Sequence, residues 1–406
     1  MANTIKTNTL TELIAVRFAE TAGYLTNGSK KYFAGQLEGK RNGQTYKFVV
    51  RDTGGAVNAL AIDTANDKIT IVEREVSMTL DPWHVAVNTN AIESVTDLKW
   101  DVEIAVPNSQ KLVNAVTRKV VNADLGKCGC AFVGSGFTPL SRASAHLASI
   151  TSDKLFGFID PNIEAVLTSN GQQFVPVGAP NMYKAGLLGE FHGAEYRAQR
   201  FFPNVPISSA CATTLNGATM ASSSSYSASS GIATLKLAFS AAASAFTIKR
   251  GTPIWVSGCF ATDCVGDVTG NLHAFVVLAD VSVAQSATSA SVTAVAVDNS
   301  VNSTREIAEA DGSQFSDSDF DSKEIAVPEA GDYFGGIVRA DGSFEFETLD
   351  KIEAEGADYE KGSVNGVTVH KNKLVNLVSM ENTTRFDVVS IAGIVEQRAV
   401  AYVLVK

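Results

Sequence analysis

Five histidines, five cysteines and a run of closely spaced aspartates are the residues of this 406-residue chain whose types suit metal or nucleophilic chemistry. His84, His146, His192, His273 and His370 stand singly. None forms an i, i+4 pair or a His-Glu-x-x-His motif, the spacing that turns two imidazoles toward one zinc ion. Cys128-Gly-Cys130, Cys211, and Cys259 with Cys264 lack a second ligand pair at zinc-site spacing, and an odd count gives no disulfide framework. Buried, reduced thiols are the expectation. Asp317, Asp319 and Asp321 resemble the opening of a calcium loop. However, Ser322 stands where the sharp turn needs glycine and Pro328 where a bidentate glutamate should close the shell, so a solvated acidic loop is expected.

Other chemistries fare no better. There is no Gly-x-x-x-x-Gly-Lys-Ser/Thr, Gly129 to Gly136 does not fit Gly-x-Gly-x-x-Gly, and no Gly-x-Ser-x-Gly elbow occurs. No cofactor is implied, and no motif favours an enzyme. The formal net charge is −10, with the only cations between 301 and 360 being Arg305, Lys323, Arg339 and Lys351. Such a balance argues against sequence-reading of DNA or RNA, which needs a basic footprint. The long uncharged stretches are interrupted by Ser, Thr, Gln or Asn, so no membrane helix is expected. The start carries Lys6, Glu12 and Arg17 in place of an apolar secretory core, which points to synthesis in the cytosol. The sequons at Asn27, Asn302 and Asn382 then carry little meaning.

Since no local motif supplies function, the elements themselves have to be read. The length corresponds to roughly two to three domains. Leu10, Leu13, Ile14 and Phe18 fall on one face of an N-terminal helix over about residues 9–22, with Thr9 and Glu12 as a capping box. Alternating runs on either side of Asn42-Gly43 predict a hairpin. A second strand pair follows from Asp52-Thr-Gly-Gly55 to residues 69–80. A ribbon this long and this poor in apolar surface needs something to lie on. Residues 91–125 return to helical periodicity, with Pro107 starting the second part and Leu112, Val113, Val116, Val120 and Val121 on one face.

The glycine-rich run 126–136 ends that helix, and a shorter one is expected over 139–150. Leu155 to Ile159 reads as a buried strand, followed by Asp160 as cap and Pro161 as first helical residue. This alternation argues for a mixed α/β layer. Between 205 and 300 the charged residues fall to Lys236, Lys249, Arg250, Asp263, Asp267, Asp280 and Asp298, and short alternating runs predict an inserted all-β domain. A hairpin around Asp341-Gly342 and two strands over 386–391 and 399–405 close the chain.

Three segments stand out together: Phe156-Gly-Phe-Ile-Asp160-Pro161, Leu187-Leu-Gly189 running on to Pro206, and Arg385-Phe-Asp with Arg398-Ala-Val-Ala-Tyr-Val403. In this order they resemble the major capsid proteins of tailed bacteriophages, built on the Hong Kong 97-type fold. The resemblance implies an α+β fold with an inserted all-β domain, similar to that of short-tailed phage coat proteins. In that frame residues 1–30 are the N-terminal arm, 31–90 the extended hairpin loop and 91–135 the P-domain with its spine helix. Residues 136–204 belong to the A-domain, 205–300 to the insertion, and 301–406 to the remaining A- and P-domain strands.

What the resemblance implies for function is a self-assembling subunit of the icosahedral head around double-stranded DNA, held without sequence specificity. The implied partners are further copies in hexamers and pentamers, with scaffolding and portal proteins, and the implied location is the virion, assembled in the host cytoplasm. Leu13, Phe18, Lys40, Arg41, Tyr46 and Phe48, on the arm and the loop, are the candidate inter-subunit contacts. Some members cross-link a loop lysine to a neighbour's asparagine; Lys40 and Lys47 lie on the loop, but no acceptor can be matched. The alternative from the low-charge Ser/Thr block is a β-rich adhesion or tail-associated virion protein, which leaves the long helix unexplained.

Overall fold

The computed structural model describes residues 11–12, 14–19, 21–30, 45–54, 70–90, 106–169, 187–191, 193–221, 232–297, 306–349, 358–376 and 381–406. The chain divides into two compact units, one made of 1–48, 76–121 and 344–393, the other of 49–75, 122–343 and 394–406.

The first unit is organised by a six-stranded sheet. Its path runs β1 (Ser29–Lys30), β20 (Phe344–Thr348), β23 (Glu381–Ile394), β22 (Val367–Asn376), β21 (Asp358–Val364), and β4 (Asp81–Asn90) also pairs with β23. The helix α1 (Val106–Asp124) buries Leu112, Val113, Val116, Val120 and Val121, the stripe its periodicity predicts. The helical residues within 11–21 bury Ile14, Ala15 and Phe18, and a further turn, Gly23–Thr26, sets Tyr24 edge-on to Phe344 at 5.7 Å. Contact at the start of this helix is backbone-close. A Cβ on Gly362 of β21 would come within 2.7 Å of the Thr11 carbonyl. Beside it, Glu360 takes the ammonium of the buried Lys371 at 3.2 Å and the Thr11 hydroxyl at 3.5 Å.

The second unit carries a seven-stranded mixed sheet in the order β5 (Cys130–Gly134), β24 (Val400–Val405), β19 (Gly331–Ala340), β6 (Leu155–Ile159), β8 (Ala194–Ala198), β7 (Leu187–Phe191). A further strand, β9 (Asn204–Ile207), pairs with β19. β5 runs parallel to β24 and β6 parallel to β8. Helices α2 (Thr138–Ile150) and α3 (Pro161–Ser169) contribute Leu140, Ala143, Leu147, Ile163 and Leu167 to a core shared with Leu155, Ile159, Val338, Val403 and Val405. Asp160 caps α3 by accepting the Asn162 N–H at 2.8 Å. After α4 (Ser209–Leu215) the chain forms small sheets: β10 (Thr219–Met220) with β11 (Ile232–Ala238) and β16 (Ser289–Val295), and β12 (Phe246–Ile248) with β15 (Val281–Val283). In a third, β13 (Pro253–Thr262) is flanked by β14 (Val268–Val276), β17 (Ile307–Ala308) and β18 (Ile325–Ala326).

Three expectations are revised. Residues 130–134, read as part of a helix-ending loop, form a strand, because the uncharged Cys-Ala-Phe-Val run supplies the partner that the edge of β24 requires. Asn204–Ile207, at the start of the predicted insertion, belongs to the seven-stranded sheet. The Asp341-Gly342 turn does not make a hairpin: β19 pairs with β24, β6 and β9, whereas β20 pairs with β1 and β23. Both strands are buried over most of their length, so each needs partners on both edges, and the turn, with Gly342 at φ +77°, sends the chain into a different sheet.

Candidate functional site: a two-stranded ribbon and its base

β2 (Thr45–Gly54) and β3 (Thr70–Thr79) pair as a two-stranded sheet, the second of the two strand pairs expected from the sequence. Among the described residues no third strand joins it. Thr45 and Thr79 face each other across it, their hydroxyls 3.2 Å apart. Alternation then places Thr45, Lys47 and Val49 of β2 and Glu75, Ser77 and Thr79 of β3 in solvent, with Val49 53% exposed. Met78 and Leu80 are buried where the ribbon meets its base. From there the chain continues as β4, whose first residue, Asp81, takes the Lys119 ammonium of α1 at 2.7 Å, the same ammonium lying 5.5 Å from the Trp83 ring. This ion pair fastens the strand that leaves the ribbon to the long helix.

Of the candidate contact residues, Tyr46 and Phe48 lie in β2, and Phe18 is fully buried within its own unit. Leu13, Lys40 and Arg41, with the Asn42-Gly43 turn, lie outside the described residues. The structure therefore draws attention to residues that the sequence reading left out, Val49 and the β3 face above all; the i, i+2 alternation over 75–79 was the signal that could have found them.

Several of the side chains with chemical potential are engaged locally. Burial raises the thiols of Cys128 and Cys259, lifts that of Cys130 to about 12 and that of Cys211 to about 11, so all four stay protonated and unreactive at neutral pH. Asp319 accepts both the N–H and the hydroxyl of Ser316 at 2.6 Å, a capping box for the short helix Asp317–Phe320, and these bonds hold its carboxyl below the usual range. Of the three aspartates in the acidic run, Asp319 is thus engaged in capping its own short helix. Among the described residues, no group of three His, Cys, Asp or Glu side chains converges on a common point. His370 bridges the Tyr359 hydroxyl and the Leu349 carbonyl at 2.9 and 2.8 Å, a core-bracing role. No helix among the described residues is long and apolar enough to cross a membrane.

No protein-family model and no curated protein matches the sequence. Among solved structures, the chain is similar to one from Mycobacterium phage Che8, at 10% identity and TM-score 0.41, covering 93% of this chain and 90% of that one. It is similar at 8% identity and TM-score 0.41 to the acid-stable capsid structure of Helicobacter pylori bacteriophage KHP30, covering 94% of this chain and 87% of that one. A third likeness, to the capsid structure of the cyanophage P-SCSP1u, has 9% identity and TM-score 0.40 and covers 93% of each chain.

Proposed function

We propose that the chain is a structural shell subunit, a major capsid protein of the tailed-phage type that assembles through many copies of itself into an icosahedral head enclosing double-stranded DNA. The observation that carries this reading is the β2–β3 ribbon, ten residues a strand with an exposed face and, among the described residues, no third strand. An isolated two-stranded ribbon is marginal in water. Its long free edges favour pairing or packing against another chain. Both compact units already own dense cores, so the ribbon is surface in excess of what either fold needs. Repeated round a closed shell, modest contacts of this kind sum to a strong assembly. Scaffolding and portal proteins are the accompanying partners of such a subunit, and its acidic balance suits a wall that does not hold DNA tightly.

The test is negative-stain microscopy with light scattering on the purified chain, alone and co-expressed with any scaffold product encoded beside it. Closed shells, or rings of five and six, are expected. A monomer under every condition would remove the proposal and favour the adhesion or tail-associated reading.

A further inference from the structure

In the second unit the Gly126–Gly129 loop lies close against the layer that carries β14 and β16. A Cβ on Gly126 would stand 2.5 Å from Val295 Cγ2 and 2.7 Å from Leu278 Cδ2. The Gly129 carbonyl accepts the Ala274 N–H at 3.4 Å. Into this close seam the fold places two buried histidines. His146, on α2, lies 3.0 Å through Nδ1 from the Asn271 side-chain amide of β14, with the Phe132 ring 5.5 Å away. His273, two residues further along β14, is 3% exposed and faces the Gly129 backbone and the edge of Phe275, whose ring centroid is 4.7 Å away.

The Asn271 amide N–H₂ can donate to His146 only if Nδ1 is an acceptor, which is to say only if the ring is neutral. Protonation would set N–H against N–H₂ and leave a charge in an apolar setting. Burial accordingly lowers His146 to about 4 and His273 to about 3. For His273 the hydrogen bond to the Gly129 backbone works against the lowering, and desolvation outweighs it. Asp124, buried just before the Gly126–Gly129 loop, accepts the Ile394 N–H at 3.2 Å through Oδ1. Arg142 is exposed on the same helix, Cys128 and Cys130 keep their protons, and Arg398, whose backbone packs on Gly129, is paired with Glu396. Asp263 and Asp267 are at the far tip of the β13–β14 hairpin, where Asp263 binds the loop's own N–H groups.

We infer that this seam is an acid-opened joint: protonation of His146 and His273 parts the β14 face from α2 and the Gly126–Gly129 loop while the seven-stranded sheet stays closed. The inference is independent of the shell reading, since it concerns contacts inside one unit. With no side chain at Gly126, the loop lies close against the Val295 and Leu278 side chains, so a charge placed in the seam has little room to reach solvent while the seam is closed.

Hydrogen exchange read by mass spectrometry on the full chain at pH 7.5 and 4.5, corrected for intrinsic rates, tests it. Each histidine exposed by opening raises the opening constant between these pH values by on the order of fifty- to a hundredfold. Protection in 268–276 should fall by at least fiftyfold while 155–159, 331–340 and 400–405 keep theirs. The His146→Gln, His273→Leu double variant, matched to the parent in exchange at pH 7.5, should lose the pH effect. A uniform loss across both layers, no loss, or a pH effect that survives in the double variant overturns the inference. If the double variant does not fold, histidine-labelled NMR of the parent decides. Both rings should titrate in step with β14 exchange, and rings that titrate while β14 stays protected overturn the joint.

Discussion

Gly157 and Tyr196 are register partners across the parallel pair β6–β8, and the tyrosine ring takes up the space that a side chain at 157 would fill. A Cβ at 157 would come within 2.3 Å of Tyr196 Cδ1. The same tyrosine reaches α2, its hydroxyl 2.8 Å from Ser144 Oγ and 3.3 Å from the Leu140 carbonyl. Glycine at 157 is thus the space that lets one side chain tie sheet to helix.

Gly157→Ala should therefore destabilise the second unit by about 1–3 kcal/mol through overpacking. Tyr196→Phe, which keeps the ring and removes the hydroxyl, should cost only about 1 kcal/mol. Urea unfolding at constant m-value measures both; a neutral Gly157→Ala would show that the ring has room to move.

This contact also shows where sequence reading stops. The Leu155–Ile159 strand was legible because five uncharged residues are bounded by a charged lysine and a Pro-marked helix start, and β24 because its apolar run lies between Arg398 and Lys406. That Gly157 was a packing requirement was not, since the ring that demands it lies 39 residues away on a strand whose pairing no local pattern fixes. The hairpin predicted at Asp341-Gly342 failed for a related cause: a turn motif specifies a reversal of direction, not which sheet receives the next strand. At the ribbon, alternation gave the strands, but which face would remain uncovered depended on the number of partners in the sheet.

Buried and exposed ion pairs should separate cleanly on mutation. Arg398, with 1% of its side chain exposed, is held by Glu396 through two contacts of 2.8 Å. Glu396→Ala leaves that guanidinium buried without its carboxylate and should cost about 3–5 kcal/mol. Lys154→Ala, which breaks a 2.6 Å pair with Glu195 at a lysine 57% exposed, should cost under about 1 kcal/mol. Thermal unfolding of the two variants checks the ordering, and equal losses would contradict it.

Thiol chemistry should be equally uneven. Cys128, Cys130, Cys211 and Cys259 are buried and unbridged, while Cys264 sits half-buried beside the β13–β14 tip. An aromatic disulfide reagent should titrate one thiol rapidly in the native protein and all five in denaturant. Fast reaction of two or more native thiols would place the seam or the core in frequent exchange with open states.

Global stability should fall on the acid side for a stated reason. His146 and His273 have folded-state values below the unfolded one of about 6.5, so between the two the unfolded chain binds more protons. Their contribution is complete above pH 7 and declines as the pH drops from about 6.5 toward 4. His146 should account for about 3 kcal/mol of that loss and His273 for a comparable amount. Denaturation midpoints from pH 8 to pH 4.5 measure it, and the His146→Gln variant should flatten the lower half of the profile.

The ribbon offers the sharpest separation of folding from assembly. Val49 is exposed, so Val49→Asp removes no core contact and should change unfolding stability by no more than about 0.5 kcal/mol. If the same face packs against a second copy, burying a carboxylate there without a partner costs more than the valine contact itself. The expected result is an unchanged melting temperature with a critical concentration for shell formation raised at least tenfold. Lys47→Ala, two residues away on the same face, should shift that concentration far less, because it places no charge in the contact. A Val49→Asp protein that assembles at the parental concentration would place the inter-subunit contact elsewhere on the chain.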